Sequence, residues 1–203
     1  MSIFNLSNQH IQQNSLSIIG KSIKLAAVVL LIIKITACST GKYIPVDDVV
    51  KLDVKFADPR WNGVTIPNGE GCKRCGENGS TPALIVKNIP VNTNAIIMEY
   101  CDRSYQLMNN GGHGIIGFWL VPNTGEVFIP SVPGHTFELP ENFFLIAEHL
   151  KPGLDKAGAY LPPCSCRGGN SYSVKVKAVY EAKTESGKSL LLGEYELIMG
   201  TDR

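Results

Sequence analysis

The sequence has no surplus of positive charge. Its 19 Lys and Arg stand against 18 Asp and Glu, and no basic stripe runs along it, which argues against a nucleic-acid surface. Long hydrophobic runs are missing too. The longest, Leu25 to Ile33, has nine residues, whereas a membrane-spanning helix needs about 20. There is no G-x-S-x-G, no H-E-x-x-H and no phosphate-cradling P-loop. A nucleophile needs a base within hydrogen-bond reach, and the pairing of Asp102 with Ser104 or Ser171 has no further support in the sequence. No catalytic residue, and hence no enzyme, is expected. Neither internal repeats nor a low-complexity tract follow the N-terminal leader. Histidine is scarce: His10 lies in the leader, His135 in a loop and His149 at the end of an expected helix, the last two expected to face solvent. His113 lies in the glycine-rich "NNGGHGIIG".

What is present begins with "GKSIKLAAVVLLIIKITACST". Lys21 and Lys24 form a basic flank, Leu25 to Ile33 an apolar stretch, and small residues precede Cys38. This is the layout of a secretory signal. Because the small-residue site ends in cysteine, the segment resembles a bacterial lipoprotein signal. That resemblance implies cleavage after residue 37, acylation of Cys38 and a lipid anchor in the cell envelope. Ser39 behind the cysteine implies the periplasmic face of the outer membrane. Residues 38–47 then read as a lipidated tether and 48–203 as one domain of ordinary size, long enough to bury a core. Loss of residues 1–37 removes three lysines and no acid, leaving 16 Lys and Arg against 18 Asp and Glu, a net charge of −2.

An exported chain meets an oxidising compartment, so its cysteines are read first as disulfides. Cys72, Cys75, Cys101, Cys164 and Cys166 remain after Cys38; five is odd, so at most two bridges form within the chain. Three readings stand side by side. In the first, two disulfides link "CKRC" and "CSC" to each other or to Cys101, each closed loop contributing about 3–4 kcal/mol. In the second, four thiolates hold zinc or copper(I), although Cys-x-Cys is the wrong spacing for the usual paired motif. In the third, two cations between Cys72 and Cys75 lower a thiol pKa for redox work. No metal site and no cofactor is expected on the first reading.

The domain reads as β structure. Val50, Leu52, Val54 and Phe56 alternate with period two, as do Val174, Val176, Ala178 and Tyr180. "PALIVKNI", "NAIIMEY", "IIGFWLV", "GEVFIP" and "SLLLGEYELIMG" supply further strands, separated by turn-rich segments. "LPENFFLIAEHLKPG" (139–153) reads as a helix, with Pro140 and Glu141 in its first turn and Pro152-Gly153 beyond its end. Many short strands with one or two short helices predict a mainly β, Greek-key sandwich.

Four stretches in order carry a family resemblance: "WNGVTIPNGEGCKRCGENGSTPALIVKNIPVNTNAIIMEYCD", "GHGIIGFWLVP", "GAYLPPCSCRGGNSYSVKVKAVY" and "GEYELIMGT". Together, across residues 56–201, they resemble the phosphatidylethanolamine-binding (Raf kinase inhibitor-like) family in its bacterial branch. The resemblance implies a pocket at one end of the sandwich that takes an anion such as a phosphate head group. In the family that pocket is built from an Asp-Pro-Asp segment, a strand histidine and a second histidine after a Pro-Pro turn. Here Asp102 matches the first aspartate, followed by Arg103-Ser104. The strand histidine falls near Ile115, with His113 as its substitute in a shifted register. The turn becomes Pro162-Pro163-Cys164-Ser165-Cys166, and Asn170 replaces the second histidine. Asn170 donates through its amide but never charges, while Arg103 offers a forked cation if it turns inward.

The expected ligand-binding set is therefore Asp102, Arg103, His113, Tyr160 and Asn170, with altered affinity for a small, anionic or head-group-like molecule. The second expectation is an envelope interaction protein with a vestigial pocket, using the face that includes "SYQLMNNGGHG". A metal or thiol site is the third.

Overall fold

The computed structural model describes residues 43–150, 156–184 and 187–203. The segments read as signal peptide and acylation site, Cys38 included, lie outside the described residues. Strand β1 spans Ile44–Lys51, β2 Asp53–Phe56, β3 Leu84–Lys87, β4 Ala95–Asp102, β5 Ile115–Trp119, β6 Glu126–Ile129, β7 Phe143–Ala147, β8 Ser171–Tyr180 and β9 Leu190–Thr201. They form a six-stranded sheet in the order β1-β9-β8-β4-β5-β7 and a three-stranded sheet β2-β3-β6. Pairing is antiparallel except for β1 on β9. Residues 44–47, placed in the tether by the sequence, form the first half of β1.

The alternation read from the sequence decides which side of each strand meets the core. Along β4 and β8 the register pairs Ile96 with Ala178, Met98 with Val176, and Tyr100 with Val174. These side chains face Val54, Leu84, Val86 and Ile129 of the small sheet in one shared core. Two apolar faces closed on each other make a β-sandwich, and burying them is the main force holding the sheets together. The same inward row ends at the pair Asp102 and Tyr172, both buried, so the core runs into a polar cluster at one end.

The expected helix over 139–153 is corrected by the structure. Its centre is strand β7, paired antiparallel with β5 through Ile116–Leu145, Gly117–Phe144 and Phe118–Phe143. The five-residue run Phe143–Ala147 is apolar at every position and so carries no helical period; aromatic and branched residues suit a pleated surface. Asn142, at φ 67°, turns the chain into the strand. Phe143 then packs edge-on against Phe118 at 4.9 Å, and Phe144 stacks on Trp119 at 4.3 Å. Gly117 lies beneath Phe144, where a Cβ would collide with the ring. Among the described residues the helical content is two short 3-10 turns, Lys73–Cys75 and Gln106–Met108, and no helix is long and apolar enough to cross a membrane.

Candidate functional site

Two loops and one turn meet at the Asp102 end of the sandwich, held by paired disulfides. Cys72 is bonded to Cys164 and Cys75 to Cys166. Of the three readings of the cysteines, the "CKRC" loop and the "CSC" turn are thus bridged to each other, and Cys101 takes no part. Cys101 is a buried free thiol on β4, its Sγ accepting hydrogen bonds from the amides of Asn110 and Gly111. The inner bridge packs with Met108 and Leu161; Cys72 is wholly buried. The outer bridge is open on its Cys166 side. Cys72 Sγ lies 3.5 Å from Cys75 Sγ. Since both sulfurs are in disulfides and carry no proton, this is van der Waals contact, not a hydrogen bond.

Backbone bonds fasten the same end. Cys72 N–H donates to Pro163 O, and Lys73 N–H donates 3.1 Å to His135 Nε2. His135 is buried, as is His149, whose Nε2 lies 2.9 Å from Lys156 O; the expectation that both face solvent is corrected. Each imidazole supplies a polar group that a buried loop backbone would otherwise lack.

The expected ligand-binding residues are distributed unevenly. Asp102 and Asn170 are brought together: the Asn170 amide donates 2.6 Å to Asp102 Oδ2, and Ser104 N–H donates 2.8 Å to Oδ1. Both carboxylate oxygens are thus engaged within the protein. His113 is buried; its Nδ1 lies 2.8 Å from Leu161 O and its ring meets Tyr172 edge-on at 5.3 Å. Gly114 after it, at φ +116°, sits against Ala159 O, where any Cβ would collide. Arg103 does not turn inward. Its Nε pairs with Glu196 at 3.6 Å on the surface. Tyr160 is buried in the core against Tyr100, ring centroids 4.8 Å apart, with no partner for its hydroxyl among the described residues.

Sequence reasoning missed Tyr172 and Asp202. The Tyr172 hydroxyl accepts from the amides of Cys164 and Ser165, both at 3.1 Å. Burial pushes its pKa up to about 12, with the Ser165 hydrogen bond opposing the rise. Asp202 Oδ2 accepts from the Ser165 hydroxyl at 2.7 Å and from Arg167 N–H at 3.1 Å. These bonds fix the turn despite the left-handed backbone at Cys166 and Arg167 (φ 52° and 68°). A polar tyrosine in the inward register of β8 was the available signal; Asp202 offered none.

Beside the outer disulfide opens a cleft of about 270 Å³, lined among others by Asn68, Cys75, Glu77, Cys166, Arg167, Asp202 and Arg203. No ion pair holds the Arg167 or Arg203 guanidinium among the described residues. Glu77 Oε2 accepts from Gly71 N–H, while its other oxygen accepts no hydrogen bond among the described residues. A broader cleft of about 450 Å³ lies between β2 and β9, against Phe56, Trp61, Tyr195 and Leu197. Asp102, His113, Tyr160 and Asn170 line neither.

A scan against protein-family models finds no match for the chain, and a search of curated proteins likewise finds none.

Proposed function

We propose that the chain is a lipid-anchored envelope module of the phosphatidylethanolamine-binding type, anchored through acylated Cys38, that binds a small head-group-like molecule. Its binding surface has moved from the Asp102 cluster to the arginine-flanked cleft beside Cys75–Cys166. One observation carries this reading: two guanidiniums without ion pairs share a polar cleft with two carboxylates. Guanidinium is the side chain best matched to a phosphate's fork of oxygens. Glu77 and Asp202 leave the cleft close to neutral overall, which suits a phosphate carrying its own ammonium better than a bare anion. The Asp102–Asn170 bond supports the displacement, because a ligand entering there would have to break a charge-assisted hydrogen bond already made.

Calorimetric titration of the full chain with glycerophosphoethanolamine and with inorganic phosphate tests this. The zwitterion is expected to bind at least tenfold more tightly than phosphate, and Arg167→Ala to abolish the difference. Equal affinity for both, or none for either, would sink the reading. A second reading rests on Tyr105 and Leu107, 46% and 69% exposed on the loop after Asp102. Such side chains suit a protein partner, and binding that survives Arg167→Ala but is lost on Leu107→Asp would favour it.

A further inference from the structure

The two disulfides are not independent staples. Their sulfurs are stacked, the outer pair faces a cleft, and the inner pair touches the outer one. Cys166 is exposed and Cys75 half-buried, so a dissolved thiol reaches Cys166 Sγ first. Cys72 is fully buried, so the same thiol has no direct approach to that end of the inner bridge. Yet Cys72 Sγ is 3.5 Å from Cys75 Sγ, and Cys72, Cys75 and Cys166 hold their sulfurs within 4.8 Å of one another. Thiol–disulfide exchange proceeds when a thiolate contacts a disulfide sulfur. Exchange between the bridges therefore starts from sulfurs already in van der Waals contact.

We propose that the cluster is a thiol-oxidising relay: small thiols are oxidised at Cys75–Cys166, and the electron pair is passed inward. A substrate thiolate attacks Cys166 Sγ; a mixed disulfide forms on Cys166, the Cys75–Cys166 bond breaks, and Cys75 leaves as thiolate. A second substrate thiolate attacks the substrate sulfur of that mixed disulfide, releasing the oxidised substrate disulfide and Cys166 as thiolate. Cys75 thiolate then attacks Cys72 Sγ, forming Cys72–Cys75 and breaking Cys72–Cys164. Cys164 leaves as thiolate, and Cys164 and Cys166 take up the two protons that the substrate thiols lost. Two thiols have become one disulfide, and the protein holds the two electrons on the "CSC" turn instead of across the two loops.

The local charges suit this order. Lys73 and Arg74 stand between Cys72 and Cys75, and Arg167 follows Cys166, cations that favour thiolate over thiol. Glu77 and Asp202 also line the cleft and oppose them; each has one oxygen engaged by a neighbouring donor. The sulfurs must close from 3.5 Å to a bond of about 2.05 Å, a movement within one short turn. The relay uses the mouth of the head-group cleft but needs no bound head group, so either proposal can fail while the other stands.

The test is a trapping experiment on the full, oxidised chain. One equivalent of reduced dithiothreitol is added, thiols are alkylated at set times, and the unreduced protein is mapped by mass spectrometry. Trypsin cleaves after Lys73 and Arg74, which places Cys72 and Cys75 on separate peptides and leaves Cys164 and Cys166 on one. The relay predicts alkylation at Cys164 and Cys166, with the Cys72 and Cys75 peptides joined. Alkylation at Cys75 and Cys166 with Cys72–Cys164 intact overturns it, as does an absence of reaction until the chain unfolds. As a second measurement, Cys75→Ser/Cys166→Ser is expected to slow reduction of Cys72–Cys164 at least tenfold. An unchanged rate refutes the relay, and should this variant fail to fold, the map of the natural chain decides alone.

Discussion

Removing the disulfides one at a time and then together gives a sharply non-additive prediction. Cys72–Cys164 and Cys75–Cys166 span 92 and 91 residues, and a loop of that size closed alone contributes about 4.7 kcal/mol through lost chain entropy. The two loops interleave, however, and share almost all of their residues. Once one bridge is closed, the other closes a ring of only residues 72–75 and 164–166, about seven in all, contributing about 2.3 kcal/mol. Cys75→Ala/Cys166→Ala is therefore expected to cost about 2.3 kcal/mol. Cys72→Ala/Cys164→Ala costs the same in entropy plus about 1 kcal/mol for the packing lost against Met108 and Leu161. Replacing all four costs about 8 kcal/mol, some 2 kcal/mol beyond the sum of the two pairs. Guanidinium unfolding of the unreduced proteins, followed by fluorescence of the buried Trp61, measures each step. If the two pairwise losses simply add up to the fourfold loss, the account of two overlapping loops is wrong.

Asn170→Asp replaces the donor at 2.6 Å from Asp102 with a second carboxylate. It is expected to cost about 2–4 kcal/mol near neutral pH. The loss shrinks as pH falls and one of the two acids takes a proton; a pH-independent loss would contradict this. Tyr160→Phe removes a buried hydroxyl with no partner among the described residues and is expected to be neutral or to stabilise by about 1 kcal/mol in chemical unfolding. A clear destabilisation would mean that the hydroxyl is bonded in solution. In alkaline titration at the phenolate absorbance band, Tyr172 is expected to ionise near pH 12 instead of its ordinary 10.0. Burial likewise delays Tyr43, Tyr100 and Tyr160. A raised folded-state value means that the native chain keeps a proton the unfolded chain has lost. Stability from Tyr172 is therefore complete below pH 10 and drains away toward about pH 12. One wave near pH 10 from every tyrosine, with near-ultraviolet dichroism still native, would refute this.

The strands were legible because alternation is a local signal with a physical cause. Val174, Val176 and Ala178 had to share a face, and all three are fully buried in the core. Phe143–Ala147 was misread because a short all-apolar run has neither period, and its flanking Pro and Glu fit a helix start as well as a turn. The disulfide cluster was legible as cysteine content and exported context. Its pairing was not, because Cys-x-x-Cys and Cys-x-Cys leave several connectivities open until the two loops are placed face to face. The buried histidines escaped for a related reason. Lys73 N–H meets His135 across 62 residues of sequence, and Asn170 meets Asp102 across 68. Such partners come from the sheet register, which no single segment encodes. The family resemblance pointed to Asp102 and Asn170 as separate ligand-binding residues, but the bond between them, which closes that cluster, is visible only once β4 and β8 are paired.

The most direct test of the central claim is where a head group binds. Amide chemical shifts of the isotope-labelled chain, titrated with glycerophosphoethanolamine, are expected to move at Asn68, Glu77, Arg167 and Asp202 while those of Asp102, His113 and Asn170 stay fixed. Movement centred on Asp102, His113 and Asn170, with the cleft unaffected, would contradict the account and return the binding site to the place the family resemblance implies.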